Sequence, residues 1–494
     1  MTLAKKHLLA LSCFALFALV ACQDDSNTSC HFRLHVSQRQ GQTVECTNLS
    51  VLAHRDEVSG SSMTLHVARF FSDPTGPSDQ AMLYILGGPG QTWVSQTESI
   101  SREFMQNLGQ DLLLIDQRSV GFNQPKFSCA QSSADPQAEL LDYLQTCFDD
   151  LSEKGVPLSA YNTWEMAEDI DVAREHFAYD KLDVLGVSYG TKLGLEYLRR
   201  HPGHISAMVL DSVSPPQIRA FETDLLANEE SIEALFSTCD ADASCAQNFP
   251  GLEVEFERVF AALEQNSLEV TLSDGRASEL DANAFASTVV SSLLSFFPPM
   301  APAFIKEVAA SLDASESQVS DDVARVMSLF QVSLDESSGT ELLLAVTCAE
   351  NQGLGQDEID AQAQELRDAF TAYADLYTDV FVPACSIWPT APAPENAFEA
   401  VQNDDVPVLM LSGAMDPRTP LSWAEQTRST LGVSTHLIFE RFGHSLVSQG
   451  NGCIMNFALD FLRSDGSATE LDCGPELSPP FFPTLSEALA YLES

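Results

Sequence analysis

The sequence predicts an α/β fold: a mostly parallel sheet with helices on both faces, interrupted by a helical cap insertion. First, short and continuously apolar runs are separated by stretches of helical periodicity, which is typical of parallel strands buried on both faces. Second, residues 216–395 show helical periodicity without this alternation. The predicted strands are Ala81–Leu86, Asp111–Asp116, Leu182–Val187, Ala207–Asp211, Val406–Gly413 and Thr435–Phe442.

These elements divide the chain into five parts, because 494 residues exceed what one hydrophobic core usually holds. The parts are a signal segment (1–22), a tether with N-terminal edge strands (23–75), the first part of the α/β core (76–215), a helical cap (216–395) and the C-terminal part of the core (396–494). Core helices are predicted at Trp164–Phe177, Lys192–Arg200, Ile454–Arg463 and Leu485–Leu492.

The charge balance is strongly acidic, with 71 acidic against 25 basic side chains and a net charge of −46. Nucleic acids and anionic membrane surfaces repel such a protein, so neither is expected as a partner. Most of the acidity is expected to be a solvated surface. A part of it would attract cationic substrates such as the free amino termini of peptides.

The amino terminus is read as an export signal. Two lysines precede an apolar segment, Leu8–Ala21, that is too short to span a membrane. The segment runs into Leu-Val-Ala-Cys, which resembles a bacterial lipobox and implies lipidation of Cys22; plain secretion with cleavage near Ala21 is the alternative. Gln23 and Asp24 do not match the strongest inner-membrane retention pattern. An exported, membrane-anchored lipoprotein is therefore expected, with the outer membrane favoured.

Ten cysteines follow Cys22, and an even number in an exported chain suggests a disulfide framework. Spacing alone does not fix the connectivity, but the cysteines fall into five neighbouring pairs. There is no Cys-x-x-Cys pair or His/Cys cluster in the sequence, so neither a metal nor a cofactor is expected. The five pairs are Cys30–Cys46, Cys129–Cys147, Cys239–Cys245, Cys348–Cys385 and Cys453–Cys473.

The strongest chemical signal is Gly-Val-Ser-Tyr-Gly at 186–190, between a predicted strand and a predicted helix. This is the pattern of a nucleophile elbow, in which Ser188 lies on a strained turn and flanking glycines let the backbone close up. The alternative is an ordinary glycine-rich strand–helix connection. A serine nucleophile needs a base and a carboxylate that orients the base.

Position along the predicted strands selects the acid and the base. Active groups in such sheets lie at the carboxyl ends of strands, and the acid and the base follow an elbow serine in that order. Asp416 lies just past the strand 406–413, whereas Asp404 and Asp405 precede it. Of the ten histidines, only His444 follows a strand later than Asp416. The predicted triad is Ser188, Asp416 and His444; a turn aspartate is the alternative for Asp416.

An oxyanion hole requires two backbone N–H groups near the nucleophile. One is expected from Tyr189, directly after Ser188. The other is expected from Gly88 in the loop Gly-Gly-Pro-Gly at 87–90, where glycines allow close approach to a substrate. A plain tight turn is the alternative reading of this loop.

Together these motifs resemble the proline iminopeptidase and tripeptidyl aminopeptidase branch of the α/β-hydrolases. The similarity covers residues 75–215 and 400–475 well and the cap loosely; Leu86 and Ser119 depart from the usual pattern. The resemblance implies a serine peptidase that acts on peptides with free amino termini. It also suggests that Glu350 binds the substrate's ammonium group; an ordinary surface glutamate is the alternative.

Asp116 and Arg118 are expected to form a structural pair beneath the site. A carboxylesterase or lipase would share the whole triad and differ only in the cap. A binding lipoprotein on an inactive hydrolase fold is the third alternative, and the complete triad argues against it.

Overall fold

The computed structural model describes residues 43–493, except 57–59, 74, 94–101, 128–137, 315–317, 331–338, 450–451, 469–470, 472 and 474–476. The signal segment 1–22, the lipidation site Cys22 and the tether lie outside the described residues. Within the described part of the chain, none of the helices combines the length and the apolar character that crossing a membrane requires.

The described residues form an eight-stranded sheet with the strand order β1-β2-β4-β3-β5-β6-β9-β10. The first two strands are antiparallel to their neighbours, and the six strands from β4 to β10 in this order are mutually parallel. The sheet strands are β1 (Val44–Leu52), β2 (Ser62–Phe70), β3 (Ala81–Ile85), β4 (Asp111–Ile115), β5 (Leu182–Val187), β6 (Ile205–Asp211), β9 (Val408–Gly413) and β10 (Ser434–Phe439); β7 (Leu268–Thr271) and β8 (Ala277–Leu280) form a separate hairpin. The predicted parallel sheet is confirmed.

Helices cover both faces of the sheet. Successive strand residues point to opposite faces, so neighbouring residues of one strand belong to different hydrophobic clusters. Leu83, Val184 and Met208 belong to one buried cluster, while Met82, Leu185 and Val209 belong to another. The helices that precede the cap are α1 (Arg102–Leu108), α2 (Ala138–Glu153), α3 (Thr163–His176) and α4 (Tyr189–Arg200). Asn162 caps α3 by accepting the Glu165 N–H at 2.9 Å.

The described residues of the cap segment form helices and the hairpin β7–β8, joined by turns and loops. Its helices are α5 (Ala220–Ala241), α6 (Ala243–Asn248), α7 (Leu252–Leu263), α8 (Ala282–Ser287), α9 (Ala301–Asp313), α10 (Asp321–Phe330), α11 (Thr340–Glu350), α12 (Gln356–Ala363), α13 (Thr371–Leu376) and α14 (Val382–Ile387). The chain closes with α15 (Leu421–Arg428), α16 (Gly452–Arg463) and α17 (Leu485–Leu492).

The hydrophobic clusters do not follow the expected part boundaries throughout. Leu342, Leu344 and Val346 on α11 belong to the cluster of the sheet rather than to that of the cap. Conversely, Leu485 and Leu489 on α17 lie in the same buried cluster as the cap residues Phe285 and Phe304. The carboxyl-terminal helix therefore packs with the cap, and α11 connects the cap to the sheet.

Three of the five expected disulfides are confirmed: Cys239–Cys245, Cys348–Cys385 and Cys453–Cys473. Their Cα atoms lie 5.0, 5.1 and 5.7 Å apart, within the usual range for a bridge. Cys46 and Cys147 are also disulfide-bonded. Their expected partners, Cys30 and Cys129, lie outside the described residues.

Candidate active site

Ser188 occupies a sharp turn between β5 and α4. Its backbone has φ 57° and ψ −127°, a conformation that non-glycine residues rarely adopt and that is common at functional sites. A Cβ on Gly186 would meet the carbonyl oxygen of Gly190 at 2.6 Å, and one on Gly190 would overlap the carbonyl of Ile85. The two glycines are therefore required for the turn that presents the partly exposed serine.

Asp416 and His444 form a buried acid–base pair. Nδ1 of His444 lies 2.8 Å from Oδ2 and 3.0 Å from Oδ1 of Asp416. The carboxylate also accepts the Thr419 hydroxyl at 2.6 Å and the N–H groups of Arg418 and Thr419 at 2.8 and 3.0 Å. This geometry fixes the imidazole with Nδ1 toward Asp416, so Nε2 is directed away from it and is free for proton transfer.

The charge of Asp416 is held by its neighbours. Burial acts to raise the pKa of this carboxyl, which is only 1% exposed. The interaction with His444, together with hydrogen bonds from His444, Thr419 and the Arg418 N–H, outweighs the burial and lowers the pKa. Asp416 is therefore an anion at neutral pH and can stabilise a positive charge on the imidazole.

The loop that carries His444 returns across the sheet toward Ser188. It leaves β10, and the Met415 N–H after β9 donates to the carbonyl of Phe442 at 3.1 Å. The Ser445 N–H then donates to Oγ of Ser212, directly after β6, at 2.7 Å. Since β6 is the immediate neighbour of β5, the loop reaches the strand end beside the nucleophile. The structure thus brings the three predicted triad residues to one edge of the sheet.

The glycine loop after β3 lies against the nucleophile. A Cβ on Gly87 would meet Cβ of Ser188 at 2.9 Å, so the loop touches the serine side chain. Gly88 has φ 105°, which favours glycine. On the other side, Tyr189 is the first residue of α4, where N–H groups have no partner within the helix. The structure therefore places the glycine loop that contains Gly88 on one side of Ser188 and the first turn of α4, with Tyr189, on the other.

Gln117 is a site residue whose role the sequence does not reveal. Its amide group accepts the Gly90 N–H at 2.9 Å and donates to the carbonyls of Leu86 and Gly87, both at 3.1 Å. These three bonds fix both ends of the glycine loop to the end of β4. Gln117 lies between Asp116 and Arg118 in the sequence, but a side chain that bonds a distant backbone leaves no periodic signal.

Replacing Gln117 with methionine is expected to lower kcat with little change in KM. The loop would lose three bonds and drift from the oxyanion, at a cost approaching the 100- to 1000-fold that a lost oxyanion donor typically brings. Gln110→Met is the matched control, because Gln110 is equally buried but lies at the opposite end of β4. Steady-state kinetics of both variants measures the effect; equal kcat values for the two would contradict the role of Gln117.

The expected pair of Asp116 and Arg118 is wrong. Arg118 is fully buried and bonds Asp169 on α3, with Nε to Oδ2 at 2.7 Å and an Nη to Oδ1 at 2.9 Å. Asp116 instead accepts the N–H of Trp93 at 2.7 Å and the hydroxyl of Thr92 at 3.2 Å. Burial raises the pKa of Asp116 to about 6 in spite of these bonds. The two side chains secure different segments beneath the site.

Glu350 lies close to the elbow helix but is already neutralised. Its Oε2 is 2.8 Å from Nζ of Lys192 on α4, and its Oε1 accepts the hydroxyl of Thr163 at 2.6 Å. Thr163 in turn lies 2.8 Å from the hydroxyl of Tyr189. A substrate ammonium group would have to displace Lys192, so this arrangement gives no support to the expected role in substrate binding. Glu350 ties the cap helix α11 to α4.

One group of side chains in the described part of the chain has the donor types and spacing of a metal site: Asp171, His201 and His204, whose ligand atoms lie within 4.8 Å of one another. Arg174 already bonds both oxygens of Asp171, at 2.7 and 3.2 Å. His204 Nδ1 also lies 2.7 Å from Asp171. A cation would face the guanidinium of Arg174, so we interpret the group as an ion-pair network.

Sequence comparisons agree with this geometry. A family model described as the alpha/beta hydrolase fold matches residues 80–297, and one described as TAP-like protein matches residues 371–473. Serine protease Hip1 of Mycobacterium tuberculosis is 22% identical over 451 residues, which cover 84% of each chain. The tripeptidyl aminopeptidase of Streptomyces coelicolor is 26% identical over 491 residues, covering 88% of this chain and 84% of that one.

A probable proline iminopeptidase of Streptomyces coelicolor is 25% identical over a shorter stretch of 138 residues, covering 28% of this chain and 34% of that one. The parallel sheet, the strained elbow and the two family-model matches all agree with the resemblance drawn from the sequence motifs. The chain therefore belongs to the α/β-hydrolase family, among proteins that are named as peptidases.

Proposed function

We propose that this protein is an exported serine aminopeptidase that releases residues or short peptides from the free amino termini of peptides. The observation that carries the serine mechanism is the buried Asp416–His444 pair, on a loop bonded to the strand beside Ser188. The peptidase names of relatives that span 84% of this chain or more support the substrate class.

In this mechanism Oγ of Ser188 attacks the carbonyl carbon of a peptide bond, and its proton passes to Nε2 of His444. The N–H groups of Gly88 and Tyr189 stabilise the resulting oxyanion. The carbon–nitrogen bond then breaks, and the amine leaves with the proton from His444. Water attacks the acyl ester, gives a proton to His444, and the acid product departs as the proton returns to Ser188.

The net charge of −46 is consistent with substrates that carry a positive amino terminus. Long-range attraction raises the encounter rate, and it weakens as salt screens the charges. A carboxylesterase or lipase would gain nothing from such a field with neutral substrates. The acidic surface and the names of the relatives therefore favour an aminopeptidase over an esterase.

Paired chromogenic peptides of one to four residues, with free or acetylated amino termini, test the substrate class. We expect kcat/KM for the free form to exceed that for the acetylated form by at least about tenfold, because each 1.4 kcal/mol of recognition is worth a factor of ten. A matched ester series tests the alternative activity. Equal cleavage of free and acetylated peptides, or cleavage of esters alone, would overturn the aminopeptidase proposal.

We also propose that the chain is anchored through a lipid on Cys22, on the basis of the lipobox-like segment and of disulfides that suit an oxidising compartment. Cys22→Ser is expected to move the protein from the membrane fraction to the soluble fraction of the compartment outside the inner membrane. Fractionation with immunodetection measures this. Continued membrane association of the variant would rule out the anchor.

A further inference from the structure

Asp211, the last residue of β6, lies between the nucleophile and the base. Its side chain is fully buried. In the sheet, Asp211 is in register with Val187, the residue just before Ser188. Its backbone carbonyl accepts the N–H of Ser188 at 2.9 Å. One end of Asp211 therefore fixes the backbone of the nucleophile itself.

The carboxylate of Asp211 binds the loop that carries His444. It accepts the N–H of Leu446 at 3.1 Å and the N–H of Val447 at 2.8 Å, and these residues follow His444 closely in the same loop. The adjacent Ser212 extends the contact: its hydroxyl accepts the Ser445 N–H at 2.7 Å and donates to Asp211 Oδ1 at 3.2 Å. Three successive N–H groups after His444 are thus bound by two residues at the end of β6.

The backbone on both sides of this contact is strained. Ser212 has φ 61° and Ser445 has φ 64°, values that are uncommon for residues other than glycine. Such conformations persist only where the surrounding bonds fix them, and they concentrate at functional sites. The bonds from Asp211 and Ser212 supply that restraint at the residue directly after His444.

The charge of the Asp211 carboxylate is compensated by the loop that it binds. Burial raises its pKa to about 6, opposed by the N–H groups of Val447 and Leu446, by the interaction with His444 and by the hydroxyl of Ser212. At neutral pH it is mostly an anion whose buried charge the loop of His444 compensates. Burying a carboxylate is unfavourable unless hydrogen bonds compensate its charge, and the N–H groups of this loop provide that compensation.

We propose that Asp211 is a positioning residue that sets the separation of Ser188 and His444, by binding the nucleophile through its carbonyl and the base's loop through its carboxylate. The inference rests on the proposed serine mechanism. In this proposal Asp211 does not contact the substrate. Replacing Asp211 is therefore expected to change kcat and the reactivity of Ser188, and not KM.

Asp211→Asn tests this role with almost no change in volume. The new amide group can accept only one of the two loop N–H groups and sets its own N–H₂ against the other. We expect kcat to fall about 100-fold, the typical cost of displacing a reacting group by about 1 Å, with KM changed by less than about threefold. The rate at which a fluorophosphonate labels Ser188 should fall in parallel.

Asp183→Asn is the matched control. Asp183 is a similarly buried carboxyl on the adjacent strand β5, burial raises its pKa to about 7, and it lies at the opposite end of the sheet, bonded to Gln110 at 2.8 Å. Its kcat and labelling rate should stay within about twofold of wild type. Ser212→Ala provides a second, milder variant, expected to lower kcat about tenfold by freeing the Ser445 N–H.

The variants distinguish a failure of the proposed role of Asp211 from a failure of the serine mechanism. A large loss in Asp211→Asn, a smaller one in Ser212→Ala and none in Asp183→Asn support the inference. Wild-type kcat in both Asp211→Asn and Ser212→Ala, or an equal loss in Asp183→Asn, would overturn it. If the wild-type protein fails to label at Ser188 at all, it is the proposed serine mechanism that fails. Labelling at Ser188 without peptide cleavage contradicts the aminopeptidase activity. The labelling rates of the variants then still test the role of Asp211.

Discussion

Replacing Asp416 with asparagine is expected to lower kcat about 10,000-fold, the scale typical of an acid that fixes the tautomer of a catalytic histidine. Oδ1 of Asp416 accepts two backbone N–H groups, so the asparagine oxygen should remain there. The amide N–H₂ then takes the place of Oδ2, which faces Nδ1 of His444. Its N–H would donate to Nδ1 and move the imidazole proton to Nε2, which could no longer accept the proton of Ser188.

Asp405→Asn is the control for this substitution. Asp405 is exposed and lies before β9, at the end of the strand opposite to Asp416. Its kcat should equal that of wild type. Steady-state kinetics with the preferred peptide, alongside thermal unfolding, measures both variants. A folded Asp416→Asn protein with near wild-type kcat would show that His444 does not depend on this carboxylate.

Replacing Ser188 with alanine is expected to abolish hydrolysis, with a loss of kcat on the order of 10⁶-fold, as for other serine nucleophiles. Alanine cannot form the acyl ester, and what activity remains would come from the oxyanion hole and from binding alone. Substrate should still bind, so the dissociation constant of an uncleaved peptide should change little.

Ser119→Ala is the matched control for the loss of a hydroxyl. Ser119 is buried, has φ 65° close to the 57° of Ser188, and follows β4 in the same sheet. Its Oγ has no hydrogen-bond partner among the described residues. Ser119→Ala should therefore keep wild-type kcat. Comparable losses in the two variants would mean that alanine at strained turns damages the fold, and not that Ser188 is the nucleophile.

Much of the site follows from the order of elements along the chain. The glycines around Ser188 signal a strained turn, and the apolar run before them identifies a parallel strand. Once the strands are placed, Asp416 and His444 are distinguished from Asp404, Asp405 and other candidates by which end of a strand they follow. These inferences need only local sequence and the common direction of parallel strands.

The contacts that could not be predicted involve side chains whose partners are distant in the sequence. Asp116 and Arg118 are near neighbours, but Arg118 bonds Asp169, 51 residues away. The cation that neutralises Glu350 is Lys192, 158 residues away. Gln117 and Asp211 bind backbone groups, which every residue possesses. None of these pairings produces a period or a motif, so only the folded structure reveals them.

The packing of the cap helices also depends on contacts between residues that are distant in the sequence. Some of these helices, such as α7 and α10, are visible in the sequence because they carry an apolar stripe. Which cluster a stripe joins depends on packing, and neither α11 packing on the sheet nor α17 packing with Phe285 and Phe304 could be read from the chain. The packing of these helices is therefore the least predictable part of the described fold.

In the proposed mechanism Ser188 is a nucleophile that His444 and Asp416 activate. The most direct test of this mechanism is to treat the protein with a fluorophosphonate and locate the adduct by peptide mass spectrometry. We predict a single adduct, on Ser188, that forms rapidly in wild type and in Asp405→Asn and is nearly absent in Asp416→Asn and His444→Ala. An adduct on another residue, or equal labelling of Ser188 in all four proteins, would contradict the mechanism.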